Sequence, residues 1–134
     1  MPLLQQHEDA LIQAASRVRE RAYAPYSGFR VGAAVLTADG NIFTGCNVEN
    51  ASYGLSMCAE RNAVAAAIAG GATRLVGLVL VTDTPQPVSP CGACRQVLAE
   101  LGDFPIIMVT RGGLRETTSV GRLLPRAFNA GDMS

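Results

Sequence analysis

The chain is predicted to fold as an α/β protein, a three-layer α/β/α sandwich with a mixed sheet of about five strands, the last two antiparallel. Three observations lead there. The elements run helix, hairpin, helix, strand, helix, hairpin, an order that places helices on both faces of one sheet. Leu75 to Val81 is an almost unbroken aliphatic run, the mark of a central strand covered on both sides. Cys58 to Ala69 is Ala-rich with few charges, so it should be buried between the sheet and something else, such as another copy of the chain. With 134 residues, a single domain over 1–134 is expected.

Taken in order, the first element spans about Leu4 to Ala22. Leu4, Leu11, Ala15, Val18 and Ala22 keep one helical face apolar. Tyr23 to Gly28 has turn chemistry in Pro25, Ser27 and Gly28. Phe29 to Thr37 and Ile42 to Val48 read as strands joined by a hairpin at Asp39-Gly40. If the second strand stays extended to its end, Asn47 and Glu49 point to one side. A loop from Asn50 to Ser56 leads into the Ala-rich helix, with Ser56 as its expected cap and Gly70-Gly71 as its stop. The central strand feeds a Pro-rich loop, Asp83 to Pro90, and a helix from about Gly92 to Leu101 that stops at Gly102. Pro105 to Thr110 and Leu114 to Thr118 form the last hairpin around Arg111-Gly112-Gly113.

Composition narrows the function. The net charge is zero and all eleven basic residues are Arg, with no basic run, which argues against nucleic acid as partner. A small neutral substrate fits better. Apolar residues make up 49% and charged ones 16%, so part of the apolar surface is expected to face other subunits. No membrane-length apolar stretch occurs, and His7, Glu8 and Asp9 break the N-terminal segment. A soluble, cytoplasmic protein without a membrane partner is expected, with its four cysteines reduced.

The chemistry gathers in two short segments, Cys58-Ala59-Glu60 and Pro90-Cys91-Gly92-Ala93-Cys94. Cys91 and Cys94, three apart at a helix start, read equally as a redox pair or as metal ligands. Cys58 starts the other helix flanking the central strand and tips the reading to zinc, with two helix N-termini aiming three thiolates at one ion. Three protein ligands leave the fourth place to water, the arrangement of catalytic zinc. Glu60 could be an ordinary first-turn acid. It stands four residues after Ser56, where a capping box needs three, and this favours a general acid and base role on the metal-bound water. Three thiolates leave the cluster net negative, so a cation is wanted. Arg61 is the candidate donor to the sulfurs and Arg95 a weaker one, each with the alternative of a surface arginine. Cys46 reads as a small buried residue and His7 as a surface residue of the first helix.

Tyr23-Ala24-Pro25-Tyr26-Ser27-Gly28-Phe29, Gly45-Cys46-Asn47-Val48-Glu49-Asn50, Cys58-Ala59-Glu60-Arg61 and Pro90-Cys91-Gly92-Ala93-Cys94-Arg95-Gln96 together resemble the small homotetrameric zinc-dependent cytidine deaminases. The resemblance runs from about Tyr23 to Phe128. It implies the cytidine deaminase-like fold and one Zn²⁺ per subunit on Cys58, Cys91 and Cys94. It also implies hydrolytic deamination of cytidine and deoxycytidine in pyrimidine salvage, with a zinc-activated hydroxide attacking C4 and Glu60 shuttling protons. By the same resemblance, Asn47 and Glu49 bind the ribose 3′-hydroxyl, Phe29 stacks on the base and the Ala59 amide holds the pyrimidine. Tyr53 and Phe128 match positions that reach a neighbouring subunit's active site, with core packing as the plainer alternative. Two departures, Arg30 and Gly54, stand where relatives often have Pro.

Three other readings remain. A polynucleotide-editing deaminase would want a basic groove and a helix between the last two strands, for which Arg111-Gly112-Gly113 leaves no room. A deaminase of a modified nucleoside such as blasticidin S is disfavoured by the Asn47, Glu49 and Phe29 set. A non-catalytic zinc module needs a fourth protein ligand, for which only Cys46 and His7 are formal candidates.

Overall fold

The computed structural model describes residues 2–133. Its first helix, α1 (Pro2–Arg19), is followed by strands β1 (Val31–Thr37) and β2 (Ile42–Cys46), helix α2 (Ala59–Ala69), strand β3 (Leu75–Thr82), helix α3 (Gly92–Glu100), and strands β4 (Pro105–Thr110) and β5 (Arg115–Ser119). A short turn of helix, α4 (Val120–Leu123), follows the last strand. The five strands form one mixed sheet in the order β2-β1-β3-β4-β5. Only β3 and β4 are parallel, and β4 and β5 pair antiparallel with Pro105 opposite Ser119. The predicted fold class is therefore the observed one.

The alternation of the strands divides the core in two. Ala33, Val35, Leu78, Leu80, Ile106 and Met108 face α2 and α3, whereas Ala34, Leu36, Val79, Val81, Ile107 and Val109 face α1. Two glycines let the helices come close. A Cβ on Gly32 would stand 2.0 Å from the Ala15 carbonyl of α1, and one on Gly45 would stand 2.3 Å from the Ala63 nitrogen of α2.

Several boundaries differ from the expected ones for identifiable reasons. The first helix ends at Arg19 instead of Ala22, because Tyr23 is drawn into a bridge with Val48, donating to the Asn47 carbonyl and accepting from the Glu49 N–H. β2 ends at Cys46, because the Asn47 side chain takes the Val31 N–H that a longer ladder would have used. Val48 then pairs with Tyr23 and Met57. Ser56 does not cap the Ala-rich helix. Its hydroxyl accepts the Asn50 N–H, and Cys58 occupies the N-cap position of α2. Cys46 is half-buried, not buried, and His7 is half-buried with its ring bonded to the Leu3 carbonyl. No described helix is long and apolar enough to cross a membrane.

Candidate active site

Cys58 and Cys91 are the N-cap residues of α2 and α3, both in extended backbone with no side-chain capping bond. Cys94 follows inside the first turn of α3 and is fully buried. These helices lie on the same face of the sheet, so their N-termini bring three sulfurs within 4.8 Å of one another. The partial positive charge of each helix start favours anionic sulfur there. Cys58 Sγ lies 3.6 Å from Cys91 Sγ. That is far beyond a disulfide bond of about 2.05 Å, but close to the roughly 3.8 Å edge of a tetrahedron drawn with zinc–sulfur bonds of about 2.3 Å. The donor set fits zinc. Among the described residues no fourth His, Cys, Asp or Glu joins the group, which removes Cys46 and His7 as closing ligands and leaves the open form of the site.

The sulfurs do not hold their protons equally. Hydrogen bonding from Cys94 and Arg61 lowers the Cys58 thiol well below its usual range despite burial. Cys94 is pushed the other way, by its bond to Cys58, by burial and by the charge of Glu60. Arg61 donates through Nη2 to Cys58 Sγ at 3.6 Å. Its Nε is buried without a partner. Arg95 does not reach the sulfurs. Its guanidinium donates to the Pro90 carbonyl at 2.8 Å, the Ser89 hydroxyl at 2.8 Å and the Leu123 carbonyl at 3.1 Å. It ties the loop ahead of Cys91 to α4.

Glu60 follows in the first turn of α2, 5% exposed. Burial drives its carboxyl up to about 7, helped by the Cys58 charge and opposed by its own backbone N–H and by Arg61. A carboxyl poised there can both take and return a proton near neutral pH. It lines a cavity of about 280 Å³ together with Cys58, Cys91, Phe29, Asn47 and Glu49. Ala59 also lines it, and as a first-turn residue its N–H has no acceptor within the helix. The cavity floor is the end of the sheet, with Val31, Leu80 and Thr82.

The far wall is a hydrogen-bonded unit. Asn47 donates from Nδ2 to the Phe29 carbonyl at 2.7 Å and accepts the Val31 N–H on Oδ1 at 2.8 Å. Glu49 accepts the Tyr26 and Ser27 N–H groups on Oε1 at 2.9 and 3.2 Å, and the Ser27 hydroxyl on Oε2. The Ser27 hydroxyl, first among these, lowers the Glu49 carboxyl below its ordinary value. Tyr53 and Phe128 lie outside the cavity lining, 73% and 60% exposed. The Tyr53 ring meets Tyr26 edge-on at 6.0 Å, and the Phe128 backbone is held by the Gln96 amide. Sequence reasoning missed Ser27, Val88 and Ser89. Ser27 was readable only as turn chemistry, and the cavity contacts of Val88 and Ser89 depend on the path of the Pro-rich loop.

A mixed sheet whose helix starts present three sulfurs, beside a buried carboxyl and a half-open cavity, defines a zinc-dependent enzyme. The chain belongs to the cytidine deaminase family: the family profile described as the cytidine and deoxycytidylate deaminase zinc-binding region matches residues 5–110. It is 48% identical over 128 residues to a cytidine deaminase of Sporosarcina psychrophila, covering 94% of each chain. It is 49% identical over 126 residues to one from Halalkalibacterium halodurans, covering 92% of this chain and 96% of the relative. Among solved structures it resembles the cytidine deaminase of Burkholderia pseudomallei, with a TM-score of 0.86 and 52% identity over 90% of this chain and 98% of the other. It also resembles that of Mycobacterium tuberculosis, with a TM-score of 0.77 and 42% identity over 90% and 96%.

Proposed function

We propose that this chain hydrolytically deaminates cytidine and deoxycytidine, with Glu60 as its proton carrier and Cys58, Cys91 and Cys94 as the ligands of one zinc per subunit. The observation that carries the reading is the placement of a near-neutral buried carboxyl in the same cavity as Cys58 and Cys91, two of the three clustered sulfurs. Zinc supplies, when bound, a Lewis acid that brings the pKa of a water ligand down toward neutrality. Glu60 takes a proton from the attacking water and delivers it to N3 of the pyrimidine, where it stays, then carries a second proton from the new C4 hydroxyl to the departing amino nitrogen, leaving a C4 carbonyl and ammonia. Phe29 offers an apolar face to the base, the Ala59 N–H donates to the pyrimidine, and Asn47 and Glu49 bind the sugar 3′-hydroxyl. The cavity, at about 280 Å³, sits at the small end of ligand pockets, which run to roughly 300 Å³ and above. A nucleoside suits it better than a polymer.

The reading extends to a cytoplasmic homotetramer built from a single domain, in which Tyr53 and Phe128 complete a neighbour's site. Their exposure, and that of Ile68 on the outer side of α2 at 49%, supports this, because such apolar groups gain from cover. A polynucleotide substrate is disfavoured by the tight β4–β5 turn and by a cavity lined with Glu49 and Glu60 and no arginine. The test is Glu60→Ala. It should retain zinc and a cooperative melting transition while cytidine-to-uridine turnover disappears, and undiminished turnover would refute the mechanism.

A further inference from the structure

We infer that Ser27 is a positioning residue for sugar recognition, its hydroxyl aiming the Glu49 carboxylate at the 3′-hydroxyl while locking that carboxylate to the backbone of Phe29. The inference rests on the proposed role of Glu49. A carboxylate offers about four lone-pair sites. On Glu49 the two sites of Oε1 are filled by the Tyr26 and Ser27 N–H groups, and one site of Oε2 by the Ser27 hydroxyl. The single free site is on Oε2, the oxygen that Ser27 touches, so Ser27 sets where it points.

The hydroxyl of Ser27 has only one proton. Having given it to Glu49, the oxygen can only accept, and it accepts the Phe29 N–H at 3.0 Å. Gly28 between them has φ +71°, the left-handed geometry that a residue with a Cβ adopts with strain. Phe29 is thus held at its N–H by Ser27 and at its carbonyl by Asn47. The residue facing the base and the residue facing the sugar share one hydroxyl.

The experiment compares wild type, Ser27→Ala and Ser27→Thr on cytidine and on 3′-deoxycytidine, with melting curves for each protein. Ser27→Ala should raise KM for cytidine with little change in kcat, lowering kcat/KM about tenfold, the range for a lost bond to a charged group. On 3′-deoxycytidine, which lacks the hydroxyl that Glu49 would bind, Ser27→Ala should lose clearly less, about two- to threefold, the share that comes from releasing the Phe29 N–H. Ser27→Thr, which keeps a hydroxyl, should recover most of the loss on cytidine. An equal loss on both substrates, or none on either, would overturn the inference while leaving Glu49 as the sugar reader. A wild type indifferent to the 3′-hydroxyl would overturn the Glu49 role and the inference with it.

Discussion

The Arg61 guanidinium donates to the Cys58 sulfur from three positions further along α2, so the residue that opens the helix as a metal ligand is charge-compensated from within the same turn. Three thiolates on a divalent ion leave a net negative charge, which weakens the ion as a Lewis acid. Both Cys58 and Cys94 act on the Arg61 guanidinium and hold its charge, Cys58 the more strongly.

Arg61→Ala is expected to lower kcat by about 10- to 100-fold, the usual range for groups that bond to metal ligands. Steady-state kinetics with zinc content measured on the same samples checks this. In chelator-treated protein the Cys58 thiolate should form at a higher pH in Arg61→Ala than in wild type, because one of its donors is gone. Thiolate absorbance against pH reads that change.

Glu60 makes a second prediction through linkage. Its folded carboxyl titrates near 7 instead of 4.5. Below 4.5 it is neutral in both states. Between 4.5 and 7 the unfolded chain binds fewer protons than the folded one, so its contribution to stability falls as pH rises and levels off above 7. A lowered Cys58 thiol acts in the opposite sense, so the informative quantity is the difference from Glu60→Gln. In chelator-treated protein that variant should gain stability over wild type across this window, by up to about 3 kcal/mol. Denaturant midpoints at successive pH values measure it.

Arg95 holds Ser89, Pro90 and Leu123 at once, a role that only a forked guanidinium can fill. Arg95→Met should cost about 2–4 kcal/mol in unfolding free energy and speed the transfer of zinc to a chelator, because the loop that presents Cys91 loses its anchor. Arg95→Lys should recover only part of either. Stopped-flow chelation and urea titration are the measurements.

Gly45→Ala should destabilise the protein by about 3 kcal/mol, the upper end for overpacking, because its Cβ would meet the Ala63 nitrogen at 2.3 Å and the Ala59 carbonyl at 2.6 Å. These are backbone atoms and cannot rotate away. Gly54→Ala, with nothing within 4 Å, serves as the control and should change stability by less than about 0.5 kcal/mol.

The sheet and its helices were legible because β3 is aliphatic on both faces and α2 nearly free of charge, so burial dictated their places. The three cysteines were legible because two helix starts can converge only where a βα crossover brings them together. What escaped is of another kind. Ser56 looked like a cap because it is the hydroxyl nearest ahead of the Ala-rich run, but the helix opens at Cys58 and Asn50 claims the Ser56 hydroxyl. Arg95 looked able to serve the sulfurs because it follows Cys94, yet the Pro90 and Leu123 carbonyls and the Ser89 hydroxyl take its guanidinium. The Ser27 bridge joins residues 22 positions apart, and no local pattern records such a pairing.

Cys58 and Cys91 are separated by 33 positions, with all of α2 and β3 between them. Closing so long a segment costs entropy that the ion alone must offset until the sheet is in place. The full set of three sulfurs is complete in the fold only where α2 and α3 both lie on the strands, and a bound ion would pin those two helix starts together. The metal works as a latch: its retention reports that the two halves of the chain have met in the right register.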